Sequence, residues 1–316
     1  MKVVTNPAYP FLADFFCHLS DRFETEGTTI YEGRNVLKRF NIEGCELVVK
    51  SFKVPFFVNR VIYTLFRKSK ARRSYEYAFE ILKRGSNTPE PLGYIEEYKH
   101  GLLSHSYSVS AYSGASDIRE YMNGQLKDKT LLTALGVFIA SLHQAGIFHI
   151  DLSPGNILYY KEQETFRFTL VDINRMQFKK ITVQDAIRNF SRLAISREAL
   201  SCVTCEYARI RGLDEDSFVR QTNQYSDRVY KKYASHLACK AWRKEGGNWF
   251  TQPYFQYVMA NLFSHCPLFT KAVRDRFHKK RIRIYTSCIL PFDFRKVFPE
   301  RRANHSAGRG NRQSGR

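Results

Sequence analysis

A chain of 316 residues can bury a full core as one large or two moderate domains. With 50 Lys and Arg against 30 Asp and Glu, its formal charge of +20 requires an anionic partner, whether nucleic acid, nucleotide phosphates or an acidic membrane surface. Residues 1–27 place Asp14, Asp21 and Glu24 among their apolar residues, unlike an export signal, and no run reaches the roughly 18 apolar residues of a spanning helix.

Phe11, Leu12, Phe15, Phe16 and Leu19 recur at helical spacing, so residues 1–27 read as a helical prelude. From residue 28 the period becomes that of short strands: 29–31, 36–40 and, after a turn at Glu43-Gly44, 45–50, which ends in Lys50. Between the first two strands, where phosphate-covering loops are glycine-rich, there is only Gly33. The amides of Glu32, Gly33 and Arg34, with the Arg34 charge, are the candidate phosphate contacts.

Residues 54–73 run from aromatic and aliphatic side chains into Arg67, Lys68, Lys70, Arg72 and Arg73 with no acid. Such a segment suits a membrane interface; alternatively it packs its apolar side on the sheet and solvates its charges. A helix over 72–83 follows, carrying Glu76 and, one turn on, Glu80, either of which can pair with Lys50. Gly85, Pro89 and Pro91 end it. Strands at 92–97 and 102–110 then flank a His100-Gly101 turn, and 111–115 forms a hinge with adenine expected near 109–112. Leu131, Leu135, Phe138 and Leu142 mark a buried helix closed by Gly146.

Residues 148–158 then place His149, Asp151 and Asn156 at H-x-D-x-x-x-x-N spacing. A central Asp can accept the proton of an attacking hydroxyl, an Asn five residues on can hold a metal on the phosphates, and the His braces the loop. A strand over 166–171 delivers Asp172, at the position of a second metal ligand. Lys50, a helix acid, the loop and Asp172 stand in the order of a phosphoryl-transfer site.

Helices are predicted over 183–195, 197–211, 217–237 and 255–263. No Ala-Pro-Glu follows Asp172, so a peptide-docking platform is not expected. Residues 271–283 carry eight basic residues, His278 included, with Asp275 as the only acid, and the tail from Arg301 has no large apolar anchor and reads as disordered. The seven cysteines read as reduced thiols. Cys202 and Cys205 with Cys239 and Cys266 match no common zinc spacing, and core filling is the better reading.

On Val49-Lys50, Ser69-Lys70-Ala71 with Glu76, Thr88-Pro89-Glu90-Pro91, the 149–158 loop and Val171-Asp172-Ile173-Asn174-Arg175, the chain resembles the lipopolysaccharide core sugar kinases, the Kdo and heptose kinase family with its InaA-like relatives. The resemblance implies a two-lobed, protein-kinase-like α+β fold with a small antiparallel-sheet N-lobe and a mainly helical C-lobe. The lobes are expected at 1–110, including the 54–73 insert, and 111–300, with 301–316 as a tail. It also implies ATP, Mg²⁺ and a lipid A-linked sugar acceptor at the cytoplasmic face of the inner membrane, with an anionic membrane surface as partner and no nucleic acid. Asp151 would then be the base and His149 its support, Asn156 and Asp172 the metal ligands, Lys50 the phosphate lysine and Glu76 its partner. Ile173-Asn174 replaces the Phe-Gly of protein kinases, so a constitutively formed site is expected. The rival readings are a pseudokinase scaffold for membrane or nucleic acid and a protein kinase of the same fold.

Overall fold

The computed structural model describes residues 1–119, 128–163 and 165–244, with side chains of the last helix only as far as Lys231. Residues 1–226 form one compact unit and 227–316 a second. The helix expected at 255–263, the basic run at 271–283, the tail from Arg301 and Cys266 lie outside the described residues, as does the side chain of Cys239.

The sheet of the first lobe shows why the opening residues are not purely helical. Val3, Val4 and Thr5 are β-branched, and β1 (Lys2–Thr5) pairs antiparallel with β5 (Pro91–Lys99), Val4 opposite Tyr94. Gly93 makes this approach possible, because any Cβ there would run into the Val4 carbonyl and the Phe16 ring. The helical spacing survives as two short helices, α1 (Ala13–Cys17) and α2 (Leu19–Thr25), which bury Phe15, Phe16, Leu19 and Phe23 against Phe40, Leu47, Val49 and Val109. Hairpin strands β2 (Thr28–Glu32), β3 (Val36–Ile42) and β4 (Cys45–Phe52), with β5 and β6 (Leu102–Ala111), complete a six-stranded antiparallel sheet of order β1-β5-β6-β4-β3-β2. Helix α3 (Phe57–Leu65) follows β4. Helix α4 (Lys70–Lys83) is capped by Ser69, which accepts the Arg72 N–H, and packs on β5, β6 and the 3₁₀ turn Ile173–Arg175.

The second lobe is mainly helical. Asp128 caps α5 (Lys129–Gln144) by accepting the Thr130 and Leu131 N–H groups. Gly136 admits the Val203 carbonyl of α7 (Arg197–Arg211), where a Cβ would stand at 2.6 Å. Strands β7 (Ser116–Asp117), β8 (Ile147–His149), β9 (Ile157–Glu162), β10 (Thr165–Leu170) and β11 (Met176–Phe178) form two small sheets, ordered β10-β9-β7 and β11-β8. Thr182 and Asp185 make a reciprocal capping box on α6 (Val183–Phe190), which stops five residues short of the expected 195 because Ser191 to Ile195 leave the helix. The last helix, α8 (Glu215–Lys244), is longer than expected. Among the described residues no helix is long and apolar enough to cross a membrane. The small antiparallel sheet and helical second lobe match the expected two-lobed kinase fold.

Candidate phosphoryl-transfer site

The loop between β8 and β9 is cross-linked to the end of β10 by hydrogen bonds through His149 and Asn156. His149 is 2% exposed; its Nε2 lies 3.0 Å from the Val171 carbonyl, and the Asp151 N–H donates to its Nδ1 at 3.2 Å. These partners fix the tautomer with Nε2 protonated, and burial pushes the imidazolium down against the smaller opposing pull of the Val171 carbonyl, so the ring is neutral. The Val171 N–H in turn donates to the Asn156 carbonyl at 3.0 Å. One backbone bond therefore seats Asn156 beside the residue preceding Asp172. Within the loop, the Ser153 N–H and the Asn156 Nδ2 both donate to the Asp151 carbonyl, at 2.7 and 2.8 Å. That orientation leaves Asn156 Oδ1 as the amide atom a cation would use. Leu152 is fully buried and anchors the loop, while the side chain of Asp151 is exposed.

Asp172 has φ 55° and ψ 45°, a left-handed backbone uncommon for a non-glycine residue. Its Oδ1 receives Lys50 Nζ at 2.5 Å and Asn174 Nδ2 at 2.5 Å. Oδ2 is accordingly the oxygen open to a cation. Burial opposes ionisation of this carboxyl, but the Lys50 charge and hydrogen bond outweigh it and hold the group below its ordinary range. Asp172 and Asn156 together offer hard oxygen donors, the set that suits Mg²⁺ when substrate phosphates supply the remaining ligands. Among the described residues no three His, Cys, Asp or Glu cluster as a metal cage, and Cys205 donates to Glu215 at 3.0 Å.

Three sequence expectations require correction. Glu76 does not pair with Lys50: it accepts Lys68 Nζ at 2.7 Å and Arg72 Nε at 2.8 Å, so the basic run entering α4 satisfies it locally. Glu80 likewise pairs with Arg84 at 2.6 Å, and Lys50 turns to Asp172 instead. At the β2–β3 turn the Gly33 N–H donates to the Asn35 carbonyl at 3.2 Å, closing the hairpin rather than standing free. In the hinge, the Ala111 and Tyr112 N–H groups already bond the carbonyls of Glu90 and Glu46, both at 2.9 Å.

Lys70 and Asn189 were given no role at the site by the sequence. Lys70 and Lys50 both face the Phe52 ring, at 6.0 and 5.4 Å from its centroid. Burial, then the charges of Arg34, Arg175 and Arg73, lower the Lys70 pKa, and Asp172 pulls it back up. Arg34 therefore lies near enough to Lys70, with Arg175 and Arg73, for their charges to act on one another. On the other side, Asn189 of α6, 2% exposed, donates to the His149 carbonyl at 2.8 Å and holds the loop from below. A single Asn near the end of an apolar helix was the signal for it.

The lipopolysaccharide kinase (Kdo/WaaP) family model matches residues 21–212, well over half of the 316. Among solved structures, WaaP in complex with acyl carrier protein is similar in fold, with a TM-score of 0.51 and 17% identity over 73% of this chain and 100% of that one. Amicoumacin kinase hAmiN in complex with AMP-PNP, Ca²⁺ and Ami aligns at a TM-score of 0.47 and 11% identity, over 87% of this chain and 92% of that one. No curated protein matches the sequence.

Proposed function

The chain belongs to the lipopolysaccharide kinase (Kdo/WaaP) family, phosphotransferases, and we propose that it transfers the γ-phosphoryl group of ATP to a sugar hydroxyl of the lipopolysaccharide inner core, Kdo or heptose, at the cytoplasmic membrane face. The observation that supports this reading is the bonding of the 149–156 loop to the end of β10, through His149 and Asn156 to Val171, with Lys50 paired to the Asp172 that follows it.

In this reading the acceptor hydroxyl lies against the Asp151 carboxylate, which orients it and takes its proton as its oxygen bonds to the γ-phosphorus and the bond from that phosphorus to the β-phosphate oxygen breaks, releasing ADP. The oxygens of Asn156 and Asp172 would hold Mg²⁺, which would supply neutralisation of charge on the phosphates. Lys50 moves from Asp172 toward the α- and β-phosphates when the carboxylate is taken up, and Arg34, Lys70 and Arg175 supply the cationic surround that the missing glycine loop would otherwise provide through backbone amides. Neutral His149 carries no proton in the reaction and keeps the loop in register.

The test is ATP turnover with Mg²⁺ by wild type beside Asp151→Ala, with and without Kdo-bearing lipid A. Turnover should require the glycolipid and fall on the order of 10²- to 10⁴-fold in the variant. Full activity of Asp151→Ala would remove Asp151 from the chemistry. Failure of the wild type to bind or consume ATP with any acceptor would leave a pseudokinase scaffold as the surviving reading.

A further inference from the structure

Helix α3 is mounted on the first lobe with its polarity inverted. Its polar side faces protein: Arg60 Nε donates to the Leu103 carbonyl at 2.7 Å, Arg60 Nη2 reaches the Lys99 carbonyl at 3.3 Å, and Thr64 Oγ1 accepts the Leu103 N–H at 2.9 Å. These bonds clamp the helix to the turn between β5 and β6. Its apolar side faces solvent, and none of its residues is buried. At 100° per residue, Val58, Ile62 and Leu65 fall within about 60° of one another on the side opposite Arg60, and Phe57 opens the helix; Phe57 is 68%, Val58 69% and Leu65 66% exposed. Phe56 and Phe66, which flank the helix, are each 81% exposed.

Water alone gives no reason for such an arrangement, because a helix free to choose would turn this stripe onto the sheet and leave Arg60 outside. The surrounding charge identifies the occupant. Residues 47–75 contain no Asp or Glu, and exposed Lys53, Arg67 and Lys68 flank α3 along the chain. An apolar stripe flanked along the chain by bases and no acid, with Lys68 alone of these three matched by Glu76, is complementary to a bilayer with anionic headgroups, its apolar groups among acyl chains and its remaining bases at the phosphates. A second copy of the chain would instead set these bases against one another. We propose that α3 with Phe56 and Phe66 is an interfacial anchor that docks the protein on an anionic lipid surface. This assignment is independent of the kinase reading: it requires no nucleotide and no acceptor.

The experiment is co-sedimentation of the full chain with vesicles of phosphatidylethanolamine and phosphatidylglycerol, beside vesicles of phosphatidylcholine alone. Wild type should bind the anionic vesicles and bind the neutral ones weakly. Phe57→Asp with Leu65→Asp should lower the partition coefficient on the order of 10²-fold. Lys53→Gln with Arg67→Gln should lower it by about fivefold per base removed, an effect erased at high salt. Phe56→Ser with Phe66→Ser lies outside the helix and tests the same face if the helix variant fails to fold. Fluorescent ATP-analogue binding, read on the same samples, should be unchanged by every one of these substitutions, which separates failure of the anchor from failure of the active site. Wild type that ignores anionic vesicles, or variants that bind them as well as wild type, overturn the proposal. A wild-type dimer that dissociates on Phe57→Asp with Leu65→Asp while lipid binding is untouched also overturns it, and assigns the face to a second copy.

Discussion

The Lys50–Asp172 contact is where a single side-chain choice separates this structure from the arrangement expected of it. Lys50 is 16% exposed and Asp172 38%, so the pair is only partly shielded and contributes about 0.2–1 kcal/mol. Its pH dependence follows from the direction of the Asp172 shift. A carboxyl held below its ordinary 3.8 stabilises the fold above that value and loses the contribution as pH falls through its folded pKa. Lys50→Met should therefore unfold more readily than wild type in urea at neutral pH, and the two curves should converge in acid. A gap that stays constant into acid would mean the lysine stabilises through its packing on the Phe52 ring rather than through charge. The Lys50 strand, the loop and Asp172 could all be read from residue order, because each lies in or beside a strand whose short-range pattern is strong. Which acid meets Lys50 could not, since Glu76, Glu80 and Asp172 compete and the winner depends on where Lys68, Arg72 and Arg84 place their own charges.

Beneath the loop, α5, α6 and α7 are joined by one buried chain of hydrogen bonds. Arg211 Nη1 donates to the Tyr207 hydroxyl at 3.0 Å, which donates to His143 Nδ1 at 2.9 Å; His143 Nε2 donates to Asn189 Oδ1 at 3.0 Å, and Asn189 Nδ2 donates to the His149 carbonyl. The chain needs His143 neutral, and burial lowers its pKa from 6.5 to about 4, against a smaller opposing effect of Asn189. Between these values the unfolded chain binds the proton and the folded one does not, so stability falls by about 3 kcal/mol as pH drops from 6.5 to 4. His143→Gln should flatten that limb of the stability-pH curve; an unaltered acid slope would show that the proton goes elsewhere. Asn189→Ala leaves two buried groups without partners, which costs about 1–3 kcal/mol, and should lower kcat while the KM for ATP holds. Helices α5 and α7 were legible in this region because each carries clear apolar periodicity, whereas the end of α6 was not, since Ser191 to Ile195 leave the helix. The network was not, since each of its members looks like an ordinary helix residue, and the same long-range dependence hid β1, whose partner β5 lies some ninety residues away.

The formal charge of +20 belongs to the whole molecule, and on the function proposed above, with a polyanionic acceptor in an anionic bilayer, it would set how the protein meets that acceptor. A field of this sign raises encounter rate and local concentration without altering the bond-making step, so it belongs in KM rather than kcat. At about 0.05 M salt the screening length exceeds 10 Å and neighbouring bases act together, whereas at about 0.5 M it is shorter than a side-chain stem. With glycolipid presented in anionic vesicles, raising salt over that range should increase the KM for acceptor on the order of tenfold and leave kcat at saturation within about a factor of two. Repeating the titration with acceptor in neutral micelles separates two contributions: the part of the salt effect that persists belongs to phosphates on the acceptor, and the part that disappears belongs to the bilayer. A KM indifferent to salt in both settings would mean that apolar contacts alone bring the protein to its acceptor, and the excess of Lys and Arg would then need another partner.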